Sequence, residues 1–135
     1  MVTKAKPRSV KSNSTMENLS DQALQHVAQY FQALAESTRL RILNTLRAGE
    51  RNVGDLTELC GCSTANVSRH LAALTKQGMV AREGRGTSVY YRIADPAIFE
   101  LCDLVCSSIS RQFKLQASIQ KSFNAAPRRA GRDNS

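Results

Sequence analysis

With 135 residues, 41% of them hydrophobic, 5% aromatic and none Trp, the chain has room for one domain with one core and suits a small helical protein better than a β-sandwich. No apolar run approaches the roughly 18–20 residues that cross a bilayer, and the start lacks the apolar stretch of a signal peptide. A cytoplasmic protein is expected, its four Cys serving as thiols, ligands or redox sensors rather than structural disulfides.

The net charge of +8 is unevenly placed. Residues 1–16 carry Lys4, Lys6, Arg8 and Lys11 without an acid, and residues 124–135 carry Arg128, Arg129 and Arg132 against Asp133. Residues 17–123 hold 12 basic and 10 acidic residues, yet within them 64–92 sets Arg69, Lys76, Arg82, Arg85 and Arg92 against Glu83 alone. A basic segment inside an otherwise slightly acidic fold marks an anion-facing surface. Nucleic acid is the expected partner rather than a membrane, because no basic stretch opposes a clean face of large apolar residues.

In chain order, residues 1–17 are polar and aperiodic and read as a disordered basic arm. A single domain follows at 18–123, and 124–135 form a second basic tail. After Ser20, Leu24, Val27, Phe31 and Leu34 recur at spacings of three and four, which predicts a helix to about Glu36. Ser37 is the expected cap of a second helix with an apolar stripe of Leu40, Leu43 and Leu46, ended by Gly49. Val53, Leu56, Leu59 and Cys60 mark a short helix over 53–60, and Ser63 starts another that runs to about Gln77. MVARE (79–83), GRGT (84–87) and SVYYRI (88–93) then read as strand, turn and strand. Asp95 and Pro96 form a cap and first helical position for a long last helix reaching about Phe123.

Residues 53–74 meet the requirements of a helix-turn-helix. Two steeply crossing helices need a turn residue that tolerates positive φ, and Gly61 supplies it. Leu56, Cys60, Cys62 and Val67 can point inward around it. On the second helix, 100° steps put Val67, Leu71 and Leu74 on one side. Ala65, Asn66, Ser68, Arg69, Ala72, Ala73 and Lys76 fall opposite, a small, polar and basic face of the kind that enters a major groove. Thr64 and His70 border that face and complete the expected DNA-binding set. Arg82 and Arg85 near the hairpin tip are placed to reach phosphate or the minor groove.

At these residues the chain resembles the ArsR/SmtB family of winged-helix bacterial repressors. The likeness rests on ALAESTRLRILNTL (33–46), DLTELCGCSTANVSRHLAALTKQGMV (55–80) and GRGTSVYYRIADP (84–96). It implies a mainly α fold with a β-hairpin wing, a homodimer paired through the first and last helices, and a repressor that leaves its operator when an inducer binds. The operator would be an imperfect palindrome in double-stranded DNA. Family members that sense arsenite or cadmium on the third helix carry ELCVCDL. Here ERNVGDL (50–56) puts Asn52 and Gly54 where those thiolates would be. Members with a zinc site on the last helix pair an Asp and a His with a later His and Glu. Asp95 matches, but Ala97, Ser108 and Arg111 stand at the other places, so Asp95 reads as a helix cap.

The cysteines leave alternatives open. Cys60 and Cys62 stand where relatives typically carry aliphatic residues, and they serve as turn packing or as part of a thiolate site. Cys102 and Cys106 lie one turn apart on the last helix, in a stripe with Ile98, Phe99, Ile109 and Phe113. They could pack a dimer seam, bind As(III), Sb(III), Cd(II) or Pb(II), or act as a thiol switch. His26 reads as a surface or dimer-facing residue, and His70 as packing or phosphate-binding. No oxyanion donors, phosphate loop or acidic pair accompany a Cys–His pairing, so no enzyme, catalytic residue or required cofactor is expected. The expected function is a DNA-binding regulator induced through cysteine chemistry. The rivals are a winged-helix module that docks on protein and an ArsR-type repressor without a cysteine inducer.

Overall fold

The computed structural model describes residues 16–125. Its elements are α1 (Asp21–Leu34), α2 (Ser37–Leu46), β1 (Arg51–Asn52), α3 (Val53–Cys60), α4 (Thr64–Lys76), β2 (Val80–Arg85), β3 (Ser88–Ile93) and α5 (Ala97–Ala125). The described residues up to Ala94 form one unit and those from Asp95 a second.

Side-chain caps fix where the helices of the first unit begin. Ser20 Oγ accepts from Ala23 N–H at 3.1 Å, Asn52 Oδ1 from Asp55 N–H at 2.7 Å and Ser63 Oγ from Asn66 N–H at 3.1 Å. Gly61 ends α3 at φ 66°, and its N–H reaches the Thr57 carbonyl at 3.0 Å. That left-handed residue lets α4 start only three positions later, as the helix-turn-helix requires. The sheet order is β1-β3-β2, antiparallel throughout. Arg85 faces Ser88, so the hairpin closes through Gly86, at φ 61°, and Thr87.

The expected mainly α fold with a β-hairpin wing is what the chain adopts. Its details correct several boundaries. Helix α1 stops at Leu34, and Glu36 takes the cap position of α2 without a side-chain bond, so Ser37 is the first helical residue instead of the cap. Strand β2 runs two residues past the expected end, because pairing with β3 continues through Gly84↔Val89 and Arg85↔Ser88. Strand β1 is an addition, paired as Arg51↔Tyr91 and Asn52↔Tyr90. Met16–Asn18, assigned in part to the disordered arm, form a 3₁₀ turn, and α5 extends to Ala125. Residues 1–15 and 126–135, the remainder of the two expected arms, lie outside the described residues.

The core of the first unit is built from Ile42, Leu43 and Leu46 of α2, Leu56 of α3, Val67, Leu71 and Leu74 of α4, then Met79, Val80 and Tyr91. In α1 Ala33 is the one buried residue, while Leu24, Val27 and Leu34 of the stripe are half-buried and Phe31 is 49% exposed. Leu40 and Leu59, expected in apolar stripes, are also exposed.

His70 is buried with this core at 1% exposure and does not lie on the outward face of α4. Its helical position, three residues after Val67, turns it inward, and polar partners wait there. Arg39 Nε donates to His70 Nδ1 at 3.0 Å, and Arg39 Nη1 reaches the Gln32 and Ala33 carbonyls at 3.5 and 3.4 Å. Glu36 Oε1 lies 3.8 Å from His70 Nε2. An imidazole that accepts at Nδ1 carries its proton at Nε2 and is neutral. Burial, then the neighbouring Arg69, pushes its pKa below the usual histidine value. The network ties the end of α1 and the start of α2 to the inner face of α4.

Two stability predictions follow from this packing. Leu71→Ala should lower unfolding stability by roughly 2–5 kcal/mol, whereas Leu59→Ala, at a side chain 57% exposed, should stay within about 0.5 kcal/mol. Equal losses in urea unfolding would contradict the assigned core. For His70, the unfolded chain binds the proton more readily than the folded one. The contribution is therefore complete above about pH 6.5 and declines as pH falls below that value. Between about pH 7 and 5, wild type should lose stability more steeply than His70→Gln; parallel curves would show that His70 does not titrate against the fold.

Candidate nucleic-acid interface

The outward face of α4 is what remains once Val67, His70, Leu71 and Leu74 are buried. Thr64, Ala65, Ser68, Arg69, Ala72 and Lys76 are exposed, and Asn66 and Ala73 are half-buried. No acidic residue occurs in the helix. Ser63 and Gly61 set where α4 begins, which puts Thr64, Ala65 and Asn66 in its first turn. Arg69 and Asn66, three residues apart, are joined by a hydrogen bond from the guanidinium to the amide oxygen. The face is slender, since Ala and Ser dominate it, and it carries a fork-shaped donor and an amide on one side.

The wing separates the two arginines that the sequence grouped at its tip. Arg82 faces Tyr91, the side of the sheet that turns inward at Val80, yet its own side chain is exposed. Arg85 is on the other side, with Glu83 and Tyr90. Its guanidinium donates to both oxygens of Glu50 at 2.6 and 2.8 Å and to Glu83 at 3.1 Å, and lies 4.6 Å above the Tyr90 ring. These bonds hold the Glu50 carboxyl below the usual carboxylate range and push the Arg85 pKa up. Arg92 Nη1 stands 3.9 Å from Glu83. Two acids and two arginines thus neutralise one another on that side. Lys76 and Arg82 have no ion pair among the described residues.

Sequence reading placed Tyr90 in the second wing strand but not under Arg85, and it missed Glu50. Glu50 lies 35 residues from Arg85, and only the unexpected β1 brings it alongside. Arg39 was missed because its partner His70 lies 31 residues away.

No disulfide joins Cys60, Cys62, Cys102 and Cys106 among the described residues. Cys60, the last residue of α3, is buried, and burial pushes its thiol pKa up, which disfavours the thiolate that metals bind. Cys62, half-buried, directs its thiol to the Cys60 carbonyl at 3.4 Å. Cys102 is half-buried and Cys106 exposed, on successive turns of α5 with a rise of about 6 Å between them. They provide two soft donors. No cluster of three or more metal-ligating side chains occurs among the described residues. Asp95 Oδ1 accepts from Ala97 N–H at 3.0 Å, the cap role expected of it. His26 is exposed on α1. No helix among the described residues is long and apolar enough to cross a membrane.

The family described as bacterial regulatory protein, arsR family, matches residues 36–82, from the start of α2 into β2. The HTH-type transcriptional regulator NmtR of Mycobacterium tuberculosis is 39% identical over 85 residues, 63% of this chain and 71% of that protein. A probable mercury resistance operon repressor of Streptomyces lividans is 36% identical over 74 residues, so the match spans 55% of this chain and 59% of that one. The solution structure of the homodimeric winged helix-turn-helix DNA-binding domain Mb0332 of Mycobacterium bovis superposes with a TM-score of 0.63 at 34% identity, covering 73% of this chain and 94% of that one. Helix-turn-helix, capped recognition helix and β-hairpin wing agree with these likenesses, and the chain belongs to the ArsR family: it is a winged helix-turn-helix, DNA-binding transcriptional regulator and not an enzyme.

Proposed function

We propose that the chain acts as a homodimeric repressor whose two α4 helices enter successive major grooves of an imperfect palindrome, with half-site centres about one helical turn apart. The observation that carries this reading is the α4 face: Arg69 and Asn66 bonded side by side, flanked by small residues, with no carboxylate in the helix. Arg69, Asn66 and Ser68 read base edges, and Thr64 and Ala65 let the helix approach closely. Lys76 and Arg82, without ion-pair partners among the described residues, hold phosphates. The basic residues near both ends of the chain add salt-sensitive, sequence-independent affinity. Dimerisation through α1 and α5 is supported by the homodimeric Mycobacterium bovis relative and by exposed apolar side chains on both helices, among them Phe31, Ile109 and Phe113.

Derepression proceeds through Cys102 and Cys106. In a dimer paired along α5, the two copies supply four thiols in one seam, a soft-donor set suited to As(III), Sb(III), Cd(II) or Pb(II) or to oxidation. The Streptomyces lividans relative named as a mercury resistance repressor supports a thiophilic inducer. The buried, protonated Cys60 leaves the first cysteine pair to packing.

Arg69→Ala should alter the sequence selected from a randomised duplex library and cost roughly 1–3 kcal/mol at the preferred site. Unchanged selectivity and affinity would refute the assignment, and no sequence-selective binding by wild type would favour a protein-docking module. DNA release should be compared in wild type, Cys102→Ser and Cys106→Ser with arsenite, antimonite, cadmium, lead, peroxide and polysulfide. At least one mutant should lose the response to each active agent. If both respond as wild type does, α5 is not the sensor.

A further inference from the structure

We propose that Arg85 is a positioning residue, a strap that ties the wing to the segment leading into α3, and that it makes no phosphate contact. The inference rests on the DNA-binding reading above and reassigns one residue within it.

The geometry is that of a brace across the whole sheet. Arg85 sits on one outer strand, β2, and Glu50 immediately precedes the other, β1. Between them runs β3, whose Tyr90 pairs with Asn52 on one side and Glu83 on the other. Residues directly opposite, and residues two apart on a strand, share a face. Glu50, Tyr90, Glu83 and Arg85 are therefore all on one face. The guanidinium passes over the Tyr90 ring and takes Glu50 with two parallel bonds. Asn52, two residues after Glu50, caps α3. The strap thus connects the wing tip to the start of the helix-turn-helix.

Three of the five N–H groups of the guanidinium are taken by two carboxylates, its charge is offset where they sit, and the carboxylates themselves repel the DNA backbone. Arg82, exposed on the other side of the hairpin, carries no such burden. The brace also meets a real need. Two residues close the hairpin, and Gly84 and Gly86 lie at its end. Glycines there leave the backbone loose unless side chains fix it.

The test exploits a sign. Glu50→Gln removes an acid and raises the chain's net charge, so electrostatics alone would tighten DNA binding. A broken strap loosens the wing instead, and affinity should fall roughly two- to fivefold. Arg85→Lys keeps the charge but loses the fork, and should bind as weakly as Arg85→Gln. Binding is measured against salt with the full chain, on the duplex that wild type selects from a random library. Arg85→Gln should leave the slope of log affinity against log salt at its wild-type value, while Arg82→Gln should reduce it by about one. Amide exchange at Gly84 and Gly86 should accelerate in Glu50→Gln and Arg85→Gln alike.

The proposal is overturned if Glu50→Gln binds as tightly as wild type or tighter. It is equally overturned if Arg85→Gln lowers the slope by about one, if Arg85→Lys restores binding, or if the exchange rates stay put. Should wild type select no sequence, the DNA-binding reading falls, and the exchange measurement still decides whether the strap exists.

Discussion

Everything on the functional side of this molecule depends on the complete burial of one side of α4. Val67, His70, Leu71 and Leu74 are all at 1% exposure or less. Three are apolar and held by packing. The fourth is an imidazole that could not be buried without a donor for its unprotonated nitrogen, and Arg39 provides one. The cost of leaving that nitrogen unbonded makes the rotation of α4 about its axis a determined quantity. Turn the helix by one residue and a histidine is exposed while an arginine is buried. The composition of the outward face is thus set from behind.

Such an arrangement was partly legible in the chain. Gly61, Ser63 and the Val67–Leu71–Leu74 spacing act within a few residues of one another, and helix starts and a turn glycine are decided at that range. What was not legible has a common cause. The His70 partner is 31 residues away and the Arg85 partner 35, so neither pairing leaves a local pattern. Arginines in a basic segment look alike in the sequence, and only the sheet register sorts them to opposite sides. Strand β1 has two residues, too few for any alternation to appear. The apolar periodicity of α1 and α5 is visible in the chain, but it cannot say which of those side chains are left uncovered or whether the covering surface belongs to the same chain.

Helix α5 makes that last point most clearly. Among its described residues Ile98 alone is buried, while Leu104, Val105, Ile109, Phe113, Leu115, Ile119 and Phe123 stand exposed, Phe123 at 71%. A helix of 29 residues with that many bare apolar side chains has a surface in excess of what a lone soluble helix tolerates. Exposed Cys106 and half-buried Cys102 lie on this same helix.

The bond between Arg69 and Asn66 has a bearing on how the α4 face is presented. A guanidinium already held by a neighbouring amide gives up less rotational freedom when it engages a ligand than a free one would. The amide, in turn, points where the guanidinium places it. The two side chains present themselves as one shaped object, so neither can be exchanged without reorienting the other. On the proposed reading, a substitution at either position changes how the other side chain is presented.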